Sequence, residues 1–341
     1  MLHSSDLPLS TAYDLAMLDL DGVVYIGADA VPGAAAHIAA AREVGMRVAF
    51  ITNNAARPAG VVAAHLADLG VQAGPEDVVT SAQAAAGLVR ERWGAGTRVV
   101  CLGGAGLRDA LAERELVPVG PGEDAALVVT GYGPEERWAD IMRVAVRVRE
   151  GLPWVATNAD GTIPTRFGVA PGHGVLVDML RRFTGVTPQV AGKPERPLLD
   201  ETVRRVGGRR PLMVGDRLDT DIEGGHNAGV ATLLVLTGVT GLTELVAAPA
   251  SQRPSYLATD LAGLATAHRA PERDNAGWRL GGWRARVVDG ELSVVARGDT
   301  AGKVDDWWRV VAATAWEHHD TTGQVVDITA TRVPANTTSA R

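Results

Sequence analysis

The feature that most constrains the fold of this 341-residue chain is a regular alternation of short apolar runs with amphipathic stretches. The run "YDLAMLDL" precedes a helical pattern from Pro32 to Val44, and "MRVAFIT" precedes another over residues 58–69 that ends at Gly70. Proline at the start of a helix and glycine after its end are common boundaries. Apolar runs separated by such helices predict a parallel sheet covered by helices on both faces.

The same pattern repeats along most of the chain, with further apolar runs at "TRVVCLG", "AALVVTG", "PWVATN", "PLMVGD", "ATLLVLTG" and "PSYLATD". These are more strand–helix units than one compact sheet needs, which predicts a second α/β domain inserted between Gln83 and about Pro188. The predicted fold class is therefore α/β. Residues 1–82 and 189–270 are expected to form a Rossmann-like, doubly wound parallel sheet, and residues 83–188 an inserted α/β domain.

The alternation of apolar runs and amphipathic stretches ends after about Ala270, and the composition changes. The segment "APERDNAG" is polar and is predicted to be a linker, and five of the eight tryptophans follow it. "WRARVVDGELSVVAR" predicts a hairpin with an Asp-Gly turn, and "DDWWRVVAATAWEHH" predicts a helix whose tryptophans belong to a core. Residues 275–341 are thus expected to form a small α+β C-terminal domain.

Composition narrows the classes of partner. The net charge of −7 and the absence of a long Lys/Arg run argue against a nucleic-acid partner. No signal peptide and no uncharged apolar run of membrane-spanning length are found, so we expect no membrane span. Cys101 is the single cysteine, which favours a cytoplasmic location. A small molecule is the expected partner, and self-association through the insert or the C-terminal domain stays open.

Polar residues follow three of the predicted strands, and in a doubly wound sheet ligands bind beyond these carboxyl ends. Asp19 and Asp21 lie two residues apart, so they would point the same way in an extended segment. Two close carboxylates favour a divalent cation, and with Asp216 they predict a Mg²⁺ site. The other polar residues at these ends are Thr52, Asn53 and Asn54.

A Mg²⁺ site of this kind indicates phosphoryl chemistry. One of the two aspartates could attack phosphorus, while the other protonates the leaving alcohol and later activates water. Thr52, the amides around Asn53 and Lys193 in "QVAGKPE" could donate hydrogen bonds to the phosphate oxygens. The chain contains no GxxxxGK[ST] motif, which excludes a P-loop site. "LGGAGLRD" lacks the third glycine of a dinucleotide fingerprint and is interpreted as a strand-to-helix turn.

The ordered set DLDGV, ITNN, AGKPE and GDRLDTD resembles the four motifs of the haloacid dehalogenase superfamily, in its phosphatase branch. The resemblance implies that Asp19 is the nucleophile and Asp21 the general acid/base. It also implies that Mg²⁺ takes the side chains of Asp19 and Asp216 and only the backbone carbonyl of Asp21, and that Gly215 and Asp221 support the site. For the phosphate it implies Thr52 and Lys193 as ligands, with Asn53 and Asn54 beside them.

The segment between "ITNN" and "AGKPE" resembles the C2-type cap of the subgroup that contains NagD-type, phosphoglycolate, pyridoxal-phosphate and glycerol-phosphate phosphatases. Three residues of or near "TNADGTIPT" become candidate substrate contacts, although a loop built on Asx turns explains them equally well: Asn158, Asp160 and Arg166. Ile163 takes the place of a histidine found in pyridoxal-phosphate relatives, which disfavours an aromatic substrate.

The resemblance implies a Mg²⁺-dependent phosphomonoesterase acting on a small phosphorylated metabolite. Glycerol 3-phosphate is the first expected substrate, and 2-phosphoglycolate or another small phosphomonoester is the alternative. A second alternative is an inactive phospho-ligand-binding protein that signals through its C-terminal domain. That domain could also be a remnant of an acetyltransferase-like (GNAT) fold, but it carries no Gly-rich acyl-CoA loop.

Overall fold

The computed structural model describes residues 1–165, 168–296 and 302–334, so the candidate contact Arg166 lies outside the described residues. The chain divides into two compact units. Unit 1 contains residues 1–47 and 209–341, and unit 2 contains residues 48–208. This division does not test the predicted boundaries of core, cap and C-terminal domain, which stay a prediction.

Unit 1 contains a set of adjacent parallel strands that confirms the α/β class. Their order is Tyr256–Ala258, Ala231–Val235, Pro211–Gly215 and Leu15–Asp19. Every position of Leu15–Asp19 is buried, as expected for a strand with both faces covered. Each of these strands comes from an apolar run that the sequence predicts.

The other elements of unit 1 before residue 270 are short helices, turns and one strand pair. The strands Tyr25–Ile26 and Asp29–Ala30 form an antiparallel pair. The helices are Leu9–Ala12, Ala34–Glu43, Glu223–Ala228 and Leu242–Val246. A π-helix spans Leu218–Ile222, and 3₁₀ turns span Ala250–Gln252 and Leu261–Ala265.

The C-terminal part of unit 1 is an antiparallel sheet followed by the helix Val304–Thr322. The sheet order is Glu272–Asp274, Gly277–Leu280, Trp283–Val288 and Glu291–Ala296. The predicted hairpin is confirmed, with positive φ at Asp289 (51°) and Gly290 (85°), as a two-residue hairpin turn of this kind requires.

The prediction of a linker over "APERDNAG" is wrong, because Glu272–Asp274 is the outer strand of this sheet. The Asp274 carboxylate accepts hydrogen bonds from Arg284 at 2.7 and 3.1 Å and from the backbone N–H of Ala276 at 2.8 Å. Charged residues are typical of an edge strand that faces water. Polar residues therefore do not distinguish such an edge strand from a linker in the sequence.

The helix Val304–Thr322 packs into the core of unit 1. Trp307 and Trp316 are buried in one hydrophobic cluster with Leu218, Ile222 and Leu245. The indole N–H of Trp316 donates to the carbonyl of Leu245 at 2.8 Å. The prediction that these tryptophans are core residues is confirmed, and the C-terminal domain shares its core with the rest of unit 1.

Unit 2 contains a five-stranded parallel sheet and a parallel pair. The sheet order is Gln189–Val190, Trp154–Ala156, Leu127–Thr130, Arg98–Leu102 and Val117–Val119. Val78–Thr80 pairs with Arg47–Thr52, a strand that begins at the boundary of the units. Thr162–Thr165 and Gly168–Pro171 form an antiparallel pair.

The helices of unit 2 alternate with its strands, as the sequence predicts. They are Ala59–Asp68, Ser81–Trp93, Ala105–Glu113, Trp138–Arg149, His173–Thr184 and Pro197–Val206, with a 3₁₀ turn at Pro75–Asp77. The core of the five-stranded sheet includes Val100, Leu102, Val128 and Trp154. Within the part of the chain that the structure describes, no helix combines the length and apolarity needed to cross a membrane.

Candidate functional site

Three buried carboxylates meet where two neighbouring strands of unit 1 end. Asp19 is the last residue of Leu15–Asp19, and Asp216 directly follows Pro211–Gly215. The two strands are parallel, with Leu18 opposite Val214, so both carboxyl ends lie at the same edge. Asp19, Asp216 and Asp221 each place a carboxylate oxygen within 4.8 Å of the others.

Asp221 reaches this group through the π-helix. Its backbone N–H donates to the carbonyl of Arg217 at 3.1 Å, and its carboxylate accepts from the backbone N–H of Arg217 at 3.1 Å. A Cβ atom at Gly215 would overlap the Asp221 carboxyl group. Glycine at this position therefore allows the strand to approach Asp221. The supporting role of both residues stays a prediction.

Asp216 is held by a loop that the sequence analysis missed. The backbone N–H of Val239 donates to Asp216 Oδ2 at 2.6 Å, and the hydroxyl of Thr237 donates to the carbonyl of Gly22 at 2.5 Å. A Cβ at Gly22 or Gly238 would overlap the Asp216 carboxylate. The signal that could have found this loop is its position after Ala231–Val235, a strand next to Pro211–Gly215.

Asp21 lies outside this carboxylate group. The extended geometry assumed for Asp19 and Asp21 ends at Asp19, since the chain turns at Gly22, whose φ is 83° and whose N–H donates to the carbonyl of Tyr25 at 2.8 Å. The Asp21 side chain is exposed. Its predicted roles as acid/base and as a carbonyl ligand stay predictions.

The carboxylate group fits a hard divalent cation. Three buried carboxylates can only accept hydrogen bonds, and they repel one another at this separation. Oxygen-only donors suit Mg²⁺ or Ca²⁺ and do not favour metals that prefer nitrogen or sulfur. Asp19, Asp216 and Asp221 are therefore the residues that could hold the predicted Mg²⁺.

In unit 2, the predicted phosphate ligands lie at the end of Arg47–Thr52. Thr52 is buried, and its hydroxyl accepts from the backbone N–H of Asn54 at 3.1 Å. The Asn54 side chain accepts from the backbone N–H of Ala56 at 2.9 Å, forming an Asx turn. These two short-range bonds fix the path of the "ITNNAA" loop.

Asn53 joins two segments far apart in the sequence. Its amide nitrogen donates to Asp160 Oδ1 at 2.9 Å and to the carbonyl of Lys193 at 3.0 Å, and its amide oxygen accepts from the N–H of Lys193 at 2.8 Å. Lys193 itself is 3% exposed. The structure thus brings together Asn53, Asp160 and Lys193. Because the Asn53 side chain is bonded to the other two residues, its predicted contact with phosphate is limited to its backbone N–H.

Asn158 belongs to the same network. It is buried, its amide nitrogen donates to the carbonyl of Asn53 at 2.7 Å, and its amide oxygen accepts from the N–H of Asp160 at 3.2 Å. The Asx-turn interpretation of this loop is therefore supported. Substrate contact by Asn158 and Asp160 stays a prediction.

A cavity of about 820 Å³ opens beside Asn54 in unit 2. Gly103 and Gly104 line it and connect Arg98–Leu102 to Ala105–Glu113, which confirms the strand-to-helix turn predicted from "LGGAGLRD". The other lining residues include Arg57, Arg108, Tyr132, Glu136 and Ile163. Burial raises the pKa of Glu136 and the charge of Arg108 opposes this shift. Donors and acceptors both face the cavity, which suits a small polar ligand.

Comparisons with known proteins agree with these motifs. A haloacid dehalogenase-like hydrolase profile matches residues 16–116, and a HAD-hydrolase-like profile matches residues 190–264. The chain is 40% identical over 319 residues to D-glycerol 3-phosphate phosphatase of Mycobacterium tuberculosis, covering 91% of this chain and 87% of that protein. It is 35% identical to acid sugar phosphatase of Staphylococcus aureus, over 68% of this chain and 90% of that protein.

Solved structures give the same result. The glycerol phosphate phosphatase of Mycobacterium tuberculosis in complex with magnesium matches with a TM-score of 0.81 and 39% identity, covering 92% of both chains. The 4-nitrophenylphosphatase of Thermotoga maritima matches with a TM-score of 0.70 and 29% identity, covering 75% of this chain and 98% of that one. The chain belongs to the haloacid dehalogenase-like hydrolase family.

Proposed function

We propose that this protein is a Mg²⁺-dependent phosphomonoesterase whose first substrate is glycerol 3-phosphate. The observation that carries the proposal is the buried group of Asp19, Asp216 and Asp221 at the ends of neighbouring parallel strands. The 40% identity to D-glycerol 3-phosphate phosphatase supports the choice of substrate. The single cysteine, Cys101, is buried and supports a cytoplasmic location.

The reaction proposed for these residues has two steps. A carboxylate oxygen of Asp19 attacks phosphorus, the bond between phosphorus and the alcohol oxygen breaks, and the Asp21 carboxyl group gives that oxygen its proton. Asp21 then takes a proton from water, whose oxygen attacks phosphorus. The bond between phosphorus and Asp19 breaks, releasing inorganic phosphate. The exposed position of Asp21 supports its exchange of protons with an alcohol and with water.

The remaining residues bind charge. Bound Mg²⁺ would neutralise the carboxylates and polarise a phosphate oxygen. Asp19, Asp216 and Asp221 would hold it, since their three buried carboxylates lie close enough together to bind one ion. From the family motifs we assign three donors to the phosphate oxygens: the Thr52 hydroxyl, Lys193 and the backbone N–H of Asn53. The N–H of Asn54 already donates to the Thr52 hydroxyl.

The alcohol part of the substrate is assigned to the cavity beside Asn54. Its arginine, glutamate and tyrosine side chains offer both donors and acceptors to hydroxyl groups. The alternative substrates are 2-phosphoglycolate, which carries a carboxylate, and a sugar phosphate, as the name of the Staphylococcus aureus relative suggests.

The test is phosphate release from glycerol 3-phosphate, 2-phosphoglycolate and a hexose phosphate, with Mg²⁺ and after its removal by EDTA. We expect Mg²⁺-dependent turnover, highest with glycerol 3-phosphate. Asp19→Asn should lower kcat by at least about 10³-fold while the protein stays folded, since the nucleophile is lost. Asp109→Asn, on an exposed helical position, is the matched control. Normal turnover by Asp19→Asn would refute the mechanism, and a wild-type protein that binds phosphate esters without cleaving them would indicate the binding-protein alternative.

A further inference from the structure

We propose that Asn53 is a positioning residue that holds the backbone of Lys193 in place, and that Asp160 fixes the orientation of the Asn53 amide. The inference rests on the proposed function, in which Lys193 binds the phosphate. It assigns Asn53 and Asp160 to the placement of another residue and not to direct contact of their side chains with the substrate.

The hydrogen-bonding capacity of the Asn53 side-chain amide is fully used within the protein. A primary amide has two N–H donors, and both are used, one toward Asp160 Oδ1 and one toward the carbonyl of Lys193. The amide oxygen faces the N–H of Lys193. A backbone N–H can only donate and a backbone carbonyl can only accept, so these partners determine which end of the amide carries oxygen. No donor of this side chain is left for a phosphate.

The backbone of Asn53 is itself anchored by hydrogen bonds. Its carbonyl accepts from the hydroxyl of Ser81 at 2.6 Å and from the amide of Asn158 at 2.7 Å. Ser81 and Asn158 are both buried. The amide that binds Lys193 is therefore mounted on a segment with little freedom to shift.

The burial of Lys193 and the glycine before it make the position of the Lys193 backbone important. Lys193 is buried, and a buried lysine of four methylene groups reaches the right point only if its backbone is correctly placed. A Cβ at Gly192 would come within 2.6 Å of the Asn53 amide oxygen and 2.7 Å of the carbonyl of Thr157. Glycine at 192 thus lets the amide approach the Lys193 backbone on both its N–H and its C=O.

The backbone at and beside Asp160 is also held by hydrogen bonds. The N–H of Gly174 donates to the carbonyl of Asp160 at 2.8 Å, and the N–H of Gly172 donates to the carbonyl of Gly161 at 3.0 Å. A Cβ at Gly174 would overlap the carbonyl of Ala159. The segment "PGHG" at the start of His173–Thr184 therefore holds the loop whose carboxylate orients Asn53.

A small error in the position of a catalytic group has a large effect on rate. A shift of about 1 Å can lower turnover about 10²-fold. In Asn53→Asp the new carboxylate faces Asp160 and gives no donor to the Lys193 carbonyl, so we expect kcat to fall about 10²-fold. Asp160→Asn keeps an oxygen that accepts from Asn53 but loses its charge, so we expect its kcat to fall less than that of Asn53→Asp.

The decisive variant is the double substitution Asn53→Asp with Asp160→Asn. The amide of the new asparagine donates to the new aspartate, which restores the bond with reversed polarity. We expect kcat about tenfold above that of Asn53→Asp alone, and an inhibition constant for inorganic phosphate that returns in parallel. A side chain that only touches substrate would not be rescued from position 160, and a double variant no better than Asn53→Asp would overturn the proposal.

Two further measurements keep the proposal testable. Asp178→Asn removes an exposed carboxylate paired with Arg181 and is the matched control for Asp160→Asn. If Asn53→Asp does not fold, Asp160→Ala replaces it, with kcat expected about tenfold below that of Asp160→Asn, and equal rates would overturn the proposal. Calorimetric binding of inorganic phosphate to every variant separates the two failures. A wild-type protein without turnover refutes the proposed function, whereas unchanged phosphate affinity in Asn53→Asp refutes the positioning role.

Discussion

The carboxylate group of unit 1 and the Asn53 network of unit 2 differ in how their polar groups are balanced. Asp19, Asp216 and Asp221 are three buried carboxylates whose oxygens lie within 4.8 Å of one another, an arrangement that favours a bound divalent cation. Asn53 is matched donor to acceptor by Asp160 and by the backbone of Lys193. The first region favours the binding of a cation. In the second region the hydrogen-bond partners of the Asn53 side chain are all protein groups.

The two regions should therefore respond to different perturbations. Repulsion among carboxylates is relieved by a cation, so the first region should respond to metal concentration. A fully satisfied polar network holds one geometry, and removal of one member leaves the others without partners. The second region should therefore respond to substitution and hardly at all to metal.

The largest effect is expected from Gly238→Ala, which would break the first region without changing its charge. The added methyl group would overlap the Asp216 carboxylate and push it out of the carboxylate group. We expect kcat to fall about 10²- to 10³-fold, comparable to the loss of one transition-state contact. Steady-state phosphate release measures this. Gly122→Ala, which has open space around its Cβ, is the control, and equal rates for the two variants would refute the packing argument.

Metal binding should stabilise the protein through the first region alone. At a Mg²⁺ concentration 100 times its Kd, the free energy of unfolding should rise by about 2.7 kcal/mol. Asp216→Asn should remove most of this gain, because one of three charged ligands is lost. Denaturant unfolding with and without Mg²⁺ provides the measurement. Asp219→Asn, an exposed residue paired with Arg217, should keep the full gain, and a loss there as well would contradict the assignment.

Acid should weaken the support of the second region. Burial lowers the pKa of His173, in the segment that holds Asp160, to about 4, compared with about 6.5 when unfolded. The unfolded chain binds the proton more readily, so this contribution to stability is complete above pH 6.5 and declines as pH falls toward 4. Between pH 7 and pH 5 the loss should be about 2 kcal/mol.

The comparison with His173→Gln isolates this contribution, since His268 also has a pKa lowered by burial to about 4 and remains in both proteins. The wild type should lose more unfolding free energy than the variant when the pH falls from 7 to 5, as measured by denaturant unfolding. Parallel pH profiles for the two proteins would show that His173 does not contribute.

The smallest effect is expected at Thr52, where two substitutions distinguish the contribution of the hydroxyl group from that of the methyl group. Thr52→Ala removes the acceptor for the N–H of Asn54 and the proposed donor to phosphate, so kcat/KM should fall about tenfold. Thr52→Ser keeps the hydroxyl and should stay within about threefold of wild type. Phosphate release at low substrate concentration tests both, and an equal loss in the two variants would show that the methyl group matters instead.

The strand ends of the site could be predicted from the sequence because their signals are local. Apolar runs followed by glycine and aspartate indicated Leu15–Asp19 and Pro211–Gly215, and the Asp-Gly pair at 289–290 indicated a hairpin. The positive φ that this turn needs is a property of the residues themselves. Family motifs then added Asp221, which no local pattern singles out.

The contacts that refine the site could not be predicted, because they join residues distant in sequence. Val239 binds Asp216 across a loop, and Asn53 binds Lys193 across 140 positions. A motif shows that an asparagine is present but does not show which of its groups is already bonded. The strand Glu272–Asp274 could not be predicted for a related reason. Its polar residues are compatible with an edge strand, but only the folded sheet shows that this segment lies at an edge.

The helix Val304–Thr322 is synthesised after all residues of the metal site, and the site depends on it. Its tryptophans Trp307 and Trp316 share a core with Leu218 and Ile222, which flank the turn that carries Asp221. A nascent chain that has emerged only to residue 270 contains Asp19, Asp216 and Asp221 but lacks the helix whose tryptophans share a core with Leu218 and Ile222. We therefore expect the metal site to form only once the final helix has left the ribosome, so that an incomplete chain would not be an active hydrolase.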